Sequence, residues 1–302
     1  MQVTIEQVIG EIPDWRGRHV RVEPLAGGLT NTNYRLTIDG APCIVRLPGA
    51  STELLAVDRP NEIYNSKAAA EAGVGPKILY ELPDFDVMVL EFIAGETMSI
   101  ESLQAPGMPE RIARSLRMLH GGRRFLKDFD MFRLVEFYLA IVDEHQVRIP
   151  DDYRDYLSVV NRIEAAVRAA ALPTVPCNND LLAENYIDDG QLLRLIDFEY
   201  SGNNDPCFEL GNTCQELQYD DSQYSELCSA YFERDNPMQL ARMRLFALMS
   251  DVGWTLWGAI QNKISKLDFD FWDYAMTRWK RALDVLSASR LEVWLREAQR
   301  GD

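Results

Sequence analysis

Two polar segments in the second half of the chain carry side chains suited to phosphate chemistry. PCNNDLLAENYI (Pro176–Ile187) contains Asp180 and, five residues later, Asn185, and Asp197 follows the apolar run LLRLI. An aspartate can accept the proton of a hydroxyl, and carboxylate and amide oxygens are the ligands that Mg²⁺ prefers. The spacing predicts phosphoryl transfer, with Asp180 as the base and Asn185 and Asp197 as metal ligands. The alternative is that these residues only cap loops and form turns.

A loop near the start of the chain has the composition of a phosphate-binding loop. In LAGGLTNTNY, Gly27 and Gly28 allow the backbone to approach a ligand closely. Thr30, Asn31 and Asn33 can donate hydrogen bonds to phosphate oxygens. Taken alone, the segment fits an ordinary hairpin loop better than a phosphate-binding loop.

A cation for the phosphates is predicted on the third strand. Arg46 lies in the apolar run CIVRLPG, where a buried guanidinium needs an anionic partner. Glu62, on the helix that follows, can supply that partner. The alternative is a surface arginine on an edge strand.

These residues must be positioned by two different kinds of structure. VRVEPL, NYRLTI, CIVRL, KILYEL and VMVLEFI have strand patterns, and RPNEIYNSKAAAEAG has a helix pattern. AGETM is predicted to be a short linker. Beyond residue 100 the apolar period becomes 3.6, interrupted only by the polar region 176–200, where LLRLI indicates a short strand. The prediction is an α+β chain, with a nucleotide-binding N-lobe built on an antiparallel sheet with one helix (1–93) and a large, mostly helical C-lobe (94–302) that holds the catalytic loop and substrate pocket.

Composition limits the partners. The 302-residue chain is 47% apolar, enough for a large core, and its net charge of −16 argues against nucleic acid and favours a cationic small molecule or a metal. No apolar run reaches the roughly 18 residues of a membrane span. The five cysteines form no CxxC pair and no leader pattern precedes the first strand, so the expected location is the cytoplasm. The sequence carries no signal for the oligomeric state.

Several motifs together resemble one enzyme family. LAGGLTNTNY, IVRLPG, EFIAGETM, CNNDLLAEN, LIDFEYSGNN, FELGN and WTLWGAIQNKIS resemble those of choline/ethanolamine kinases, members of the aminoglycoside-phosphotransferase-like group. The resemblance implies a bilobal protein-kinase-like fold, ATP and Mg²⁺ as cofactors, and phosphorylation of the hydroxyl of a small amino alcohol, choline or ethanolamine. A kinase for thiamine, an aminoglycoside or an amino sugar, and an inactive nucleotide-binding member of the fold, remain alternatives.

The resemblance also assigns roles at the nucleotide and substrate sites. Glu91 and Ile93 would lie at the hinge that meets the adenine, and Glu199 would assist the metal ligand beside it. Aromatic faces and negative charge suit a quaternary ammonium, although helical spacing of aromatics also fits a core. The residues assigned to the substrate pocket are Tyr200, Glu216, Trp254, Trp257, Phe269, Phe271 and Tyr274.

Two positions depart from the family pattern. Asn178 stands where the family generally has histidine, and Glu209 stands for an aspartate that braces the catalytic loop. Asparagine retains a donor and an acceptor, and glutamate is one methylene longer. Because Asp180, Asn185 and Asp197 are all present, we expect the chemistry to be retained.

Overall fold

The computed structural model describes residues 3–25, 30–49 and 52–300. Gly27 and Gly28 lie outside the described residues, so their assignment to nucleotide binding stays a prediction. The last strand of the N-terminal sheet ends at Glu91 and the next helix begins at Ile100. The predicted lobe boundary at residues 93 and 94 falls between these two elements.

A five-stranded antiparallel sheet forms the N-lobe, as predicted. Its strands are β1 (Val20–Pro24), β2 (Asn31–Ile38), β3 (Ala41–Pro48), β4 (Ile78–Leu82) and β5 (Val87–Glu91), in the order β1-β2-β3-β5-β4. Asp39 and Gly40, both with positive φ, form the turn between β2 and β3. The register places Asn33 opposite Arg46.

A short N-terminal helix, which the strand pattern did not predict, closes the core of this sheet. It is α1 (Ile5–Glu11), and Thr4 and Gln7 form a capping box at its start. Val8 on this helix and Leu36 on β2 are both fully buried in one cluster. The T-x-x-Q spacing of the capping box is the sequence signal that identifies this helix.

The predicted linker AGETM contains a strand. Glu96–Thr97 form β6, which pairs with β8 (Tyr186–Asp188), and β8 pairs in turn with β9 (Leu193–Leu195). A side chain at Gly95 would come within 2.4 Å of the Asp188 carbonyl oxygen, so the backbones approach closely there. The linker prediction was wrong in this part because two residues are too few to show a strand period, and the pairing partner lies far along the chain.

Helices make up most of the remaining chain. They are α2 (Arg59–Glu71), α3 (Ile100–Leu103), α4 (Met108–His120), α5 (Met131–His145), α6 (Leu157–Ala169), α7 (Pro206–Glu216), α8 (Asp221–Phe232), α9 (Pro237–Ile264), α10 (Phe271–Leu286) and α11 (Arg290–Ala298). Helix α9 is the centre of the C-lobe, where α5, α7, α10 and α11 pack against it. Among the described residues, no helix combines the length and apolar character needed to cross a membrane.

Candidate active site

Two short paired strands bring the polar segments together. Strands β7 (Val175–Cys177) and β10 (Gly202–Asn204) are antiparallel and bracket the region 178–201. Asn179 and Asp197 both have left-handed backbone conformations, with φ of 69° and 61°. Asparagine and aspartate adopt this region more readily than most residues with a side chain. The polar composition of the region therefore serves its backbone geometry as well as its chemistry.

Asn178 fastens the loop of Asp180 to the segment of Asp197. Its Oδ1 accepts a hydrogen bond from the Asp180 backbone N–H at 3.0 Å, and its Nδ2 donates to the carbonyls of Ile196 (3.1 Å) and Asp197 (2.8 Å). The side chain is fully buried. The donor and the acceptor that asparagine was expected to retain are both used.

Glu209, on α7, accepts hydrogen bonds from the backbone of the same loop. Its Oε1 accepts hydrogen bonds from the backbone N–H groups of Asn178 (2.5 Å) and Asn179 (2.9 Å), and its Oε2 lies 2.5 Å from His120 Nε2. A buried carboxylate is stable only when its oxygens are hydrogen-bonded, and both are. The longer side chain therefore still reaches the loop, and His120 at the end of α4 is its unpredicted partner. We refer to the bonds of Asn178 and Glu209 as the loop contacts.

The proposed metal ligands are oriented by neighbouring groups. Asn185 Nδ2 donates to the Asp180 carbonyl at 2.7 Å, which leaves its amide oxygen for a cation. Asp197 Oδ1 accepts from Arg46 Nη2 at 2.7 Å, which leaves Oδ2. Asp180, Asn185 and Asp197 line one cavity of about 140 Å³. These hard oxygen donors fit Mg²⁺, which takes one or two carboxylates and completes its shell with water and phosphate.

The ion pair predicted between Arg46 and Glu62 is present and buried. Arg46 Nη2 lies 3.1 Å from Glu62 Oε1, and Glu62 Oε2 is 2.6 Å from Arg59 Nη1. Sequence reasoning missed Arg59, although its position three residues before Glu62 on a predicted helix is the spacing of a side-chain pair. Glu62 therefore holds two arginines in place.

Glu199 joins the two lobes. Its Oε1 accepts from Thr30 Oγ1 at 2.6 Å and its Oε2 accepts from Asn31 Nδ2 at 2.9 Å. Arg59 donates to Asn31 Oδ1 at 2.8 Å. Thr30 and Asn31, predicted to donate to phosphate, here donate to Glu199. Together these side chains form what we call the inter-lobe cluster: Thr30, Asn31, Arg46, Arg59, Glu62, Asp197 and Glu199.

The carboxylates of the cavity share a crowded, partly dry environment. Burial, followed by the charges of Asp197, Glu216 and Glu199, raises the pKa of Asp180 well above its usual range. Burial and the charges of Asp197 and Glu62 raise the pKa of Glu199 to about 7. A raised pKa makes a carboxylate a stronger proton acceptor, and crowded negative charge favours a bound cation.

Four aromatic rings also line this cavity, and we call them the aromatic wall. Tyr200, Trp254, Trp257 and Tyr274 all line the cavity. The rings of Tyr200 and Trp254 meet edge to face at 4.9 Å, and Trp257 Nε1 donates to the Tyr200 hydroxyl at 2.7 Å. Trp257 and Tyr274 are 5.6 Å apart. The structure therefore brings together four of the seven residues predicted for the substrate pocket.

The other three residues predicted for the substrate pocket have partners outside the cavity lining or pack against its aromatic residues. Phe271 is buried against Trp257, at 5.9 Å, and the exposed Phe269 packs on Phe271 at 4.8 Å. Glu216 forms a two-fold ion pair with Arg278, at 2.7 and 2.9 Å. None of the three lines the cavity in the part of the chain that the structure describes.

Arg278 also lies 4.5 Å from the centre of the Tyr274 ring and so supports the wall. Sequence reasoning missed it, although its place one helical turn after Tyr274 was a usable signal. Its cation offsets the charge of Glu216, which would otherwise stand beside the cavity without a partner.

The remaining residues assigned to the nucleotide lie along the sheet. Asn33 Oδ1 is buried and has no hydrogen-bonding partner within the described ranges. Glu91 ends β5 and its side chain accepts from the Lys77 backbone N–H at 3.2 Å, and Ile93 is buried just beyond it. Their contacts with a nucleotide stay predictions.

Comparisons with known proteins identify the fold and the family. The fold is that of the protein-kinase-like phosphotransferases, as predicted. A family model described as choline/ethanolamine kinase matches residues 22–239, more than half of the chain. The chain belongs to the choline/ethanolamine kinase family, and it is a kinase.

Individual relatives support the same assignment. Ethanolamine kinase 2 of Rattus norvegicus is 27% identical over 310 residues, which span 90% of this chain and 78% of that protein. A choline/ethanolamine kinase family protein of Mesorhizobium loti has a solved structure with a TM-score of 0.85 and 34% identity, covering 97% of both chains. Choline kinase LicA of Streptococcus pneumoniae has a TM-score of 0.77 and 25% identity, covering 93% of this chain and 98% of that one.

Proposed function

We propose that this kinase transfers the γ-phosphoryl group of ATP to the hydroxyl of choline or ethanolamine. The observation that carries the proposal is a single cavity lined both by Asp180, Asn185 and Asp197 and by four aromatic rings. The first set has the groups of a phosphoryl-transfer site, and the second has the surface that a substituted ammonium needs. The family membership of the chain and the names of its relatives support the same substrates.

Asp180 is the proposed acceptor of the substrate's hydroxyl proton. Its backbone is fixed through Asn178 and Asn185, and its carboxyl group is left facing the cavity. Burial and neighbouring acids raise its pKa, which favours proton transfer from an alcohol. Asn185 and Asp197 would hold Mg²⁺, which supplies positive charge to the phosphate oxygens when bound. Arg46, already paired with Asp197, would contact the same phosphates.

The substrate's cation would lie against the aromatic wall. An ammonium gains about 0.5–2 kcal/mol from each aromatic face it contacts, depending on how far it is desolvated. Trp254, Trp257 and Tyr274 provide such faces, and the acids of the cavity add long-range attraction. The location that suits this enzyme is the cytoplasm, since all five cysteines are free and buried.

A coupled assay of ADP formation tests the proposal. With ATP and Mg²⁺, we expect saturable turnover with choline or ethanolamine, and a fall of about 10²–10⁴-fold in kcat for Asp180→Asn. Asp151→Asn, at an exposed position that does not line the cavity, is the matched control and should leave most of the rate. An enzyme that binds ATP but phosphorylates neither alcohol would contradict the assignment.

A separate measurement, of the two KM values, tests the role of the aromatic wall. Trp254→Leu should raise the KM for choline by about 2–30-fold, the equivalent of one lost cation–π contact, and should leave the KM for ATP nearly unchanged. An equal rise in both constants would contradict the substrate side of the proposal.

A further inference from the structure

Charged side chains from α7, α9 and α10 form a continuous series of ion pairs that reaches Tyr274 of the aromatic wall. Arg278 donates through both Nη groups to Glu216, at 2.7 and 2.9 Å, and its Nη1 lies 3.4 Å from Asp251 Oδ1. Arg281 Nη2 pairs with the same oxygen of Asp251. Acids and arginines alternate in this ion chain, in the order Glu216, Arg278, Asp251 and Arg281, so its charges cancel.

Asp251 is the buried centre of the ion chain, and the proposed reaction assigns it no role. Its side chain is 2% exposed, and its Oδ2 accepts a hydrogen bond from Gln215 Nε2 at 2.6 Å. Burial raises the pKa of Asp251 to about 6, and the charges of Arg281 and Arg278 oppose that rise. At about pH 8 the carboxyl group is therefore ionised. Replacing it with a neutral group leaves one arginine charge without an acid.

The Tyr274 ring contacts both the ion chain and the backbone of α9. The guanidinium carbon of Arg278 lies 4.5 Å from the ring centre. A Cβ added at Gly258 would come within 2.7 Å of Tyr274 Cδ1, so the ring packs directly on the α9 backbone. In the described part of the chain, Tyr274 lines the catalytic cavity and Arg278 does not. The ring is therefore where the ion chain meets the lining of the cavity.

The charges of the ion chain act on the catalytic cavity. Besides burial and the charge of Asp197, the charge of Glu216 raises the pKa of Asp180, and the charge of Arg278 opposes that rise. A substrate ammonium at the Tyr274 ring would share that ring with the Arg278 guanidinium. Like charges repel more strongly where water is excluded. Binding of a cation at this ring therefore requires that acids neutralise Arg278.

We propose that Asp251 is a positioning residue for the cationic group of the substrate. Together with Glu216 it neutralises Arg278 and holds the guanidinium against Tyr274, so that a positively charged alcohol can bind at the same ring. Asp251 acts through Arg278, and within the described ranges it is not part of the catalytic cavity's lining. The inference rests on the proposed function in one respect, which is that the substrate is a cation.

Binding of choline and of ethanolamine, each measured by isothermal titration calorimetry at about pH 8, tests the inference without relying on turnover. Asp251→Asn keeps the shape of the side chain and removes one negative charge. It should raise the Kd of the alcohol that binds by about 3–10-fold, because Arg278 then repels the ammonium. The Kd of ADP with Mg²⁺ should change by less than about twofold, since the ion chain contacts the aromatic wall and not the predicted nucleotide residues.

The matched control removes an acid of the same type outside the ion chain. Asp284 lies on α10, as Arg281 does, but at an exposed position. Asp284→Asn should change the Kd of the alcohol by less than about twofold, because water screens an exposed charge.

Arg281 separates the effect of charge from that of packing. Arg281→Gln removes a positive charge and should lower the Kd of the alcohol by about 2–5-fold. In the double variant, Asp251→Asn with Arg281→Gln, the charges balance again, and the Kd should return to within about twofold of that of the unsubstituted enzyme. A role in packing alone would make the double variant bind more weakly than Asp251→Asn. Because Arg281 is partly exposed, Arg281→Gln provides a test even where Asp251→Asn does not fold.

The outcomes distinguish this inference from the proposed function. A Kd of the alcohol that is unchanged in Asp251→Asn or in Arg281→Gln, or that is higher in the double variant than in Asp251→Asn, overturns the inference. An enzyme that binds the alcohol with the expected changes in Kd but forms no ADP supports the inference and overturns the proposed phosphoryl transfer. An unsubstituted enzyme that binds neither alcohol overturns both.

Discussion

Two sets of polar contacts position the residues of the catalytic cavity, and they differ in the groups that they join. The loop contacts lie within the C-lobe, where Asn178 and Glu209 bond mainly to backbone groups. The inter-lobe cluster instead joins side chains to side chains, with Glu199 reaching Thr30 and Asn31 in the N-lobe. A side chain that satisfies backbone groups fixes the shape of a loop, whereas a charged cluster across a cleft fixes the relation of two bodies. We therefore expect changes in the loop contacts to alter mainly the free energy of unfolding, and changes in the inter-lobe cluster to alter mainly the activity.

The largest effect on stability is expected from Glu209→Ala. It leaves the backbone N–H groups of Asn178 and Asn179 without an acceptor in a fully buried place, at about 1–3 kcal/mol each. The free energy of unfolding, measured by urea denaturation, should fall by about 3–5 kcal/mol. Glu209→Gln keeps a carbonyl oxygen for these groups and should lose clearly less. Equal losses for the two variants would contradict the role given to the backbone bonds.

Arg46→Met should lower activity strongly while leaving the C-lobe folded. The variant removes the cation that contacts both Glu62 and Asp197, so Asp197 loses its orientation and the proposed donor to the phosphates is lost. We expect kcat/KM to fall by about 10²–10³-fold in the ADP assay, as when one donor to a developing charge is removed. Arg46→Lys keeps the charge but loses the planar guanidinium. Its kcat/KM should lie between those of Arg46→Met and the unsubstituted enzyme. Unchanged activity in Arg46→Met would contradict the expectation that the inter-lobe cluster governs activity.

A moderate effect is expected from Glu199→Gln. One amide oxygen replaces two carboxylate oxygens, so either Thr30 or Asn31 loses its acceptor. The loss of about 1 kcal/mol should appear as a rise of about fivefold in the KM for ATP. Urea denaturation should show little change, since Arg59 still binds Glu62. A loss of stability without any change in KM would place Glu199 with the loop contacts instead.

The smallest effect is expected from Asn178→His, which introduces the residue that the family resemblance predicts at this position. The asparagine amide donates to two carbonyls, whereas a neutral imidazole has one N–H and a larger ring. We expect a loss of about 1 kcal/mol in the free energy of unfolding and a change in kcat of less than about threefold. A tenfold gain in kcat would show that asparagine limits the rate.

The predictions from sequence succeeded where the signal is local. The strands of the N-lobe, the short strand β9 and the helix carrying Glu62 follow from periodicity and turn residues. Arg46 was paired correctly with Glu62 because a buried guanidinium in an apolar run must find an acid, and Glu62 lies on the predicted helix that follows.

The predictions from sequence were wrong or incomplete where contacts join segments that are distant in the chain. Strand β6 was taken for a linker, because its partner β8 lies in another part of the chain. Arg278 was not connected with Glu216, although the two form a two-fold ion pair. Thr30 and Asn31 were expected to face phosphate, and only the assembled lobes show that Glu199 accepts their hydrogen bonds.

The sequence by itself determined the family, the lobe type of each half and the residues able to do the chemistry, because these depend on residue type and short-range spacing. The tertiary structure alone decided which aromatic residues line the cavity and which acids are paired. These features arise where helices meet, and helical periodicity shows that a face is buried without showing what lies opposite it.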